Sequence, residues 1–365
     1  ELSNAISWLK GQQNANGYWG LGVSQEHWTA SALIALSEAN EDAKKAPDWL
    51  KSQVEDLSSM AWTADEADIP AIIIYSFYLT GNDSAIDMEN VSEKLKTFQN
   101  TNNGNSGYGG FRGFKENGQT PVESSVDTAF SLLALSGYDN FTIEDSGAAV
   151  NFLRKLQNGD GSFNLTLSTQ SHTLYSLAPD QISLTALAVF TFSELGELGG
   201  DSDRAVEFLK KSARTCFGNN NRSYSAAMSA LAFNEIGELE YAEAAANYLK
   251  ILQNSSGGFS DSTRTNPSAP NPLDTAFAVW ALARIGESAS SDVCAPLDGE
   301  LIHVEDIDDI ILQGNVKNIS INISGAVARA VTKITYPNGT TIEIPLNYNN
   351  DVSLFKFTFR IATSS

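Results

Sequence analysis

The chain has 365 residues, 42% of them hydrophobic, which is enough for a large core and more than one domain. Acidic residues outnumber basic ones 44 to 23, for a formal net charge of −21, and so acidic a surface repels phosphate backbones and anionic lipids. Nucleic acid is therefore not expected as a partner. The longest apolar stretch, Ile69 to Leu79, carries Pro70 and falls short of the about 18 residues that a membrane span needs.

In chain order, one unit recurs. Trp8-Leu9-Lys10 ends a first amphipathic helix, Gln13 leads to Gly17 and Trp19, and His27–Asn40 reads as a second helix. Trp49-Leu50-Lys51 opens the next copy, with Val54 where the Gln stood, followed by Asp68–Thr80. Lys94-Leu95-Lys96 is followed by Gln99, a longer insertion to Gly109-Gly110-Phe111, and Val126–Tyr138. Phe152-Leu153-Arg154 leads through Gln157, Gly161 and Phe163 to Gln181–Gly196. Phe208-Leu209-Lys210, with Ala213 for the Gln, precedes Arg222–Gly237. Tyr248-Leu249-Lys250 continues through Gln253, Gly257 and Phe259 to Leu273–Gly286. The Gly/Asn cluster ends each first helix, the Gln can bond free backbone groups at a neighbouring helix end, and the aromatic can pack over the joint.

The two helix classes differ in amphipathicity. The first helices carry charge on one face, whereas the second, such as Ile182–Phe190, are apolar nearly all round. One solvent face marks an outer helix and none marks a buried one. Alternation of the two predicts an α6/α6 toroid over residues 1–288, a closed ring that needs no capping repeats. Residues 289–296 read as a linker. Residues 297–365 read as a small β-sandwich-like domain, with Val331–Tyr336 and Thr341–Leu346 flanking a Pro337-Asn338-Gly339 turn, and strands at Val316–Ile323 and Val352–Ile361.

The Gln…Gly-X-Trp/Phe hairpins resemble the QW repeats of squalene and terpene cyclases and of protein prenyltransferase β subunits, over roughly residues 1–287. More narrowly, Ser125-Val126-Asp127-Thr128-Ala129, echoed by Leu273-Asp274-Thr275-Ala276, resembles a motif of the transcobalamin and intrinsic-factor carriers, which implies a corrinoid ligand. The Asp-Cys-His zinc set of prenyltransferases is not matched: His27, His172 and His303 are scattered, and Asp274 stands where the family's His-Thr would fall. Asp306-Ile307-Asp308-Asp309 copies the Asp-X-Asp-Asp acid of squalene-type cyclases, but lies beyond the linker and reads as a surface turn.

What remains is a polar and aromatic ring at the N-terminal ends of the second helices: His27, Trp28, Asp65, Asp68, Tyr108, Phe111, Asp127, Gln181, Tyr224 and Asp274. Capping of their own helices explains Asp127 and Asp274 as well as ligand contact does. The leading expectation is a binding module whose toroid mouth holds a small, partly apolar ligand, with no resident cofactor and with catalysis disfavoured. Its partners would be that ligand or other surface proteins. An enzyme acting on carbohydrate or isoprenoid through Asp65, Glu66, Asp68 and Asp127 is the alternative, and a structural surface segment a third. Asn-X-Ser/Thr triplets at Asn82, Asn90, Asn140, Asn164, Asn221, Asn254, Asn318, Asn322 and Asn338 suggest an extracellular or cell-surface location. Cys216 and Cys294 could form one bridge.

Overall fold

The computed structural model describes residues 1–20, 25–56, 58–63, 65–114, 121–137, 143–167, 177, 180–219, 221–264 and 266–286, and strands at 317–322, 330–335, 341–349 and 354–359. It divides into two compact units, Glu1–Ala295 and Pro296–Ser365.

The first unit contains α1 (Leu2–Gly11), α2 (Gln25–Glu38), α3 (Ala46–Glu55), the single turn α4 (Met60–Thr63), α5 (Asp68–Leu79) and α6 (Met88–Lys96). A two-stranded antiparallel ribbon follows, β1 (Phe111–Phe114) with β2 (Val122–Ser124). Then come α7 (Ser125–Ser136), α8 (Ile143–Lys155), α9 (Gln181–Glu194), α10 (Gly200–Arg214), α11 (Ser223–Glu235), α12 (Leu239–Leu252) and α13 (Pro272–Ile285). Helix α2 packs on α5, α5 on α7, α7 on α9, α9 on α11, α11 on α13, and α13 returns to α2. The inner ring is closed. Around it, α3, α6, α8, α10 and α12 each pack on the inner helix that precedes them in the chain, and α1 packs on α13.

Burial follows the two patterns read from sequence. Every residue of α5 from Asp68 to Phe77 is buried, whereas α10 buries only the stripe Ser202, Ala205, Leu209 and Ala213. Five inner helices (α2, α5, α9, α11 and α13) stop close to a left-handed residue: Asn40, Gly81, Gly196, Gly237 or Gly286, at φ between 55° and 79°. Each of these five helices ends one or two residues before its sequence-based C-terminal boundary.

The repeated Gln, Gly and aromatic act as a joint. Gln13 Nε2 donates to the Gly17 carbonyl within its own turn (2.9 Å) and to the Ala43 carbonyl at the approach to α3 (2.8 Å). Gln157 does the same to Gly161 and Asp201, and Gln253 to Gly257 and the carbonyl of Glu1, sealing the last repeat to the first. At Gly161, φ is +92° and a Cβ would stand 2.0 Å from the Arg204 carbonyl oxygen on α10, so only glycine fits. The aromatic amides of Trp19, Phe111, Phe163 and Phe259 donate to Thr29, Thr128, Thr185 and Thr275 on the inner helices, at 2.9–3.0 Å.

Phe190 of α9 meets Trp280 of α13 edge-on, with centroids 5.8 Å apart, and the two helices flank α11 in the ring. Cys216 is disulfide-bonded, and the chain's other cysteine, Cys294, lies outside the described residues.

In the second unit β3 (Lys317–Asn322), β4 (Ala330–Thr335), β5 (Thr341–Asn349) and β6 (Leu354–Phe359) form one antiparallel sheet in the order β3-β6-β5-β4. Thr335 opposite Thr341 closes the hairpin read from Asn338-Gly339. A second sheet is not among the described residues of this unit.

Candidate active site

The inner helices bring their N-terminal turns to one end of the ring, where two clusters form. The first lies on α2, α5 and α7. Asp68 and Asp127 are fully buried, and His27 is 5% exposed. His27 Nε2 stands 3.0 Å from Asp68 Oδ2, an ion contact poorly aligned for a hydrogen bond; neither Asp68 oxygen accepts a hydrogen bond among the described residues. The Asp68 amide donates to Asp127 Oδ1 at 3.0 Å. The Ser124 hydroxyl donates to Asp127 Oδ2, while the Asp127 amide donates back to Ser124 Oγ. Gly113 on β1 lets the ribbon close over this group, since a Cβ there would lie 2.0 Å from Asp127 Oδ1.

Charge is unevenly placed in this cluster. Burial, with the neighbouring Asp68 charge adding to it, pushes the Asp127 carboxyl well above the usual carboxylate range, against the pull of the Ser124 hydroxyl and the Asp68 amide. For His27, burial acts to lower the pKa, but Asp68, with Glu66 and Glu26, outweighs it and the imidazolium is favoured. Glu26 is also pushed up by burial. A carboxyl that burial inclines to keep its proton thus lies beside a His–Asp ion contact in one buried group.

The second cluster lies on α9, α11 and α13. Arg264 Nε and Nη2 clamp Asp274 Oδ1 at 2.9 and 2.6 Å, and its guanidinium lies over the Tyr224 ring at 4.9 Å. Asp261 Oδ2 accepts the Tyr224 amide at 2.9 Å. The Tyr224 hydroxyl donates to the Leu177 carbonyl. Arg222 Nη1 pairs with Asp180 Oδ2 at 2.7 Å. Each cation here is already matched by a carboxylate, which makes this cluster a brace.

The sequence-picked residues divide accordingly. His27, Asp68 and Asp127 converge in the first cluster, Tyr224 and Asp274 in the second. Asp127 and Asp274 lie in the first turns of α7 and α13, and their own amides are accepted by the residues that precede those helices. Ser124 and Asn271 already satisfy those amides, which frees Asp127 to cap α5 and Asp274 to hold the Asp261 amide. Asp65 does not belong to the site: its side chain is 44% exposed and faces Arg112 at 3.7 Å. Phe111 is fully buried as the aromatic of its repeat. Tyr108 lies in the hairpin loop that Gly109 packs onto α8. Gln181 Nε2 is spent on Ser162 Oγ at 2.7 Å, and Trp28 packs over Gly20. Glu26, Asp261, Arg222 and Arg264 were missed; Glu26 could have been found as the neighbour of His27, but the Asp261–Arg264 loop has no periodicity to read. His172, His303 and Asp306–Asp309 lie outside the described residues. Among those residues no group of three or more His, Cys, Asp or Glu is arranged to hold a metal ion, and no helix is long and apolar enough to cross a membrane.

The chain is similar in structure to the type II terpene cyclase MstE from Scytonema (15% identity, TM-score 0.53, covering 78% of this chain and 96% of that one). It is likewise similar to a protein from Actinoplanes (15%, 0.53, 78% and 98%) and to Candida albicans protein geranylgeranyltransferase-I complexed with GGPP (12%, 0.52, 78% and 90%). No curated protein matches the chain. At such identities the likeness is one of fold, yet two of these structures are enzymes, and they displace the carrier reading. The corrinoid-binding module and the leaning against catalysis are thus corrected. Asp127, which carried that resemblance, uses its carboxyl for joints of the toroid itself, accepting the Ser124 hydroxyl and the α5 amide of Asp68, so the motif follows from the fold and does not single out a corrinoid. The model of the prenyltransferase alpha-alpha toroid domain matches residues 26–240 and 224–298, most of the chain, and the chain belongs to that family.

Proposed function

We propose that this protein is an acid–base enzyme acting on an apolar, isoprenoid-type substrate, with Asp127 as the proton donor. The observation that carries the reading is the buried group of Asp127, Asp68 and His27, in which burial raises the Asp127 pKa. An acid of this kind must also have a stabilised conjugate base. When the proton passes to a substrate double bond, the O–H electron pair stays on Asp127. The charge left behind is met by the Asp68 amide, the Ser124 hydroxyl and the N-terminal dipoles of α5 and α7. Asp68 keeps His27 charged and so acts as a positioning residue. Family membership supports the substrate class, as does the likeness to a Scytonema cyclase variant in complex with its substrate geranylgeranyl dihydroxybenzoate (TM-score 0.52, 15% identity).

Cyclisation conserves mass, so the test is chromatography with mass detection of products isomeric with a geranylgeranyl-arene and with geranylgeraniol. Asp127→Asn should lower turnover by roughly 100-fold or more, the range for loss of a general acid. Equal activity of wild type and variant would remove Asp127 from the chemistry. Release of reducing ends from an oligosaccharide, with no isoprenoid product, would reassign the substrate class to carbohydrate.

A further inference from the structure

The Asn-X-Ser/Thr triplets have no part in the chemistry proposed above, and the structure sorts those whose side chains it describes: Asn82, Asn90, Asn164, Asn221 and Asn254. An N-linked glycan is bulky, so a folded chain carries one only where Nδ2 is free and reaches solvent, and a transferase must also read the hydroxyl two residues on. Asn164 is locked in a reciprocal amide pair with Asn158, at 3.1 and 2.8 Å, and Leu165 and Thr166 beside it are buried. Asn221 turns Nδ2 to Ser260 Oγ at 3.4 Å, its Oδ1 is buried, and Ser223 is fully buried. Asn82 spends Nδ2 on Thr80 Oγ1 at 2.9 Å. Asn90 is exposed, but it sits in the first turn of α6, followed by the fully buried Val91 and Ser92. Asn254 differs from all of these. It follows Gln253 in the joint between α12 and α13, and its Oδ1 accepts the Ser256 amide at 2.8 Å. Asn14 and Asn100 do the same for Asn16 and Asn102 in their own joints. The Nδ2 of Asn254 makes no hydrogen bond among the described residues, whereas that of Asn100 is spent on Glu123 and that of Asn158 on Ser162 and Asn164. Ser255 and Ser256 are both exposed.

We propose that Asn254 is an N-glycosylation site that the native fold is shaped to carry. In the transfer, Nδ2 attacks the anomeric carbon of an oligosaccharide held on a polyprenyl diphosphate. The carbon–nitrogen bond forms as the bond from the anomeric carbon to the diphosphate oxygen breaks. The polyprenyl diphosphate leaves with that electron pair, and Nδ2 gives up one proton to a base of the transferase. The product keeps Oδ1 and one N–H. The bond from the Ser256 amide, which the joint uses, therefore survives the modification. The turn itself is held on both sides: Gln253 Nε2 bonds the Glu1 and Gly257 carbonyls, and the Asn254 amide donates to the Gly258 carbonyl at 3.0 Å. A glycan at Asn164 would instead break the amide pair with Asn158. This site is independent of the chemistry proposed at Asp127.

The test is mass spectrometry of glycopeptides from the full chain, purified from the cells that make it. A glycan on the peptide that spans Asn254 is expected, with Asn164 and Asn221 unmodified. Ser256→Ala, made in the same cells, leaves Asn254 in place and should abolish the glycan, while Ser256→Thr should retain it. Ser256 is exposed and its side chain makes no hydrogen bond among the described residues, so both variants should fold, and a thermal melt of each checks that they do. Unmodified Asn254 in the wild-type chain, a glycan on Asn164, or a glycan that persists in Ser256→Ala would each overturn the proposal and leave Asn254 as a turn residue alone.

Discussion

Asp127 on α7 accepts the Asp68 amide at 3.0 Å, so a carboxyl group on one inner helix caps the helix beside it. On the far side of the ring Asp261, in the loop before α13, does the same for the Tyr224 amide of α11. These caps tie the buried acid to the ring itself. Any change at Asp127 therefore acts on chemistry and on stability together.

Asp127→Asn should stabilise the fold at neutral pH. The folded carboxyl holds its proton more tightly than the unfolded one, so its contribution is full below the unfolded value of about 3.9 and is lost as pH rises through the folded value. The amide keeps an oxygen for the Asp68 N–H and carries no charge to bury. A gain of roughly 1–2 kcal/mol near pH 7 is expected, shrinking to nothing near pH 4. Denaturant melts at the two pH values measure it, and a loss at pH 7 would contradict the protonated state.

His27→Ala should be costly because it strands Asp68. Removing one partner of a buried pair costs about 3–5 kcal/mol. Adding Asp68→Asn should recover part of that, and a double-mutant cycle reads the coupling. The sign with pH is opposite to a surface carboxylate's: the folded His27 pKa is raised, so its support is complete below about 6.5 and fades as pH rises through the folded value. Additive single changes would mean that the 3.0 Å contact contributes nothing.

Gly161→Ala and Gly196→Ala separate backbone strain from close approach. Both glycines have positive φ, but Gly196 faces open space while Gly161 abuts the Arg204 carbonyl. About 1–2 kcal/mol is expected for Gly196, the cost of a left-handed residue. At Gly161 the cost should be about 3 kcal/mol or more, since the α10 backbone must also move. Equal losses in urea melts would mean that the joint is loose.

Thr128→Val leaves the Phe111 amide buried without an acceptor, for a loss of about 1–3 kcal/mol. Exposed Thr97→Val is the control, and no measurable change is expected there.

The ring was legible because its physics is periodic. Gln13, Gly17 and Trp19 recur at fixed spacing, and the largely apolar Ile69–Phe77 against the striped α10 sorts inner helices from outer ones. The threonine at each joint was also visible, as the fourth or fifth residue of α2, α7, α9 and α13, but a lone threonine there reads as an ordinary residue near a helix start. The site was half legible. His27, Asp68 and Asp127 could be named, yet which of them met depended on neighbours in the ring that lie 41 and 59 positions apart in the chain.

The bond from Gln253 to the Glu1 carbonyl, with α13 seated against α2, also bears on how the molecule comes apart. An open stack of hairpins frays from its ends, and amide protons there exchange first. A hoop offers no such starting point. Hydrogen exchange in α1 and α13 should therefore be as slow as in α7, and all inner helices should lose protection in one step.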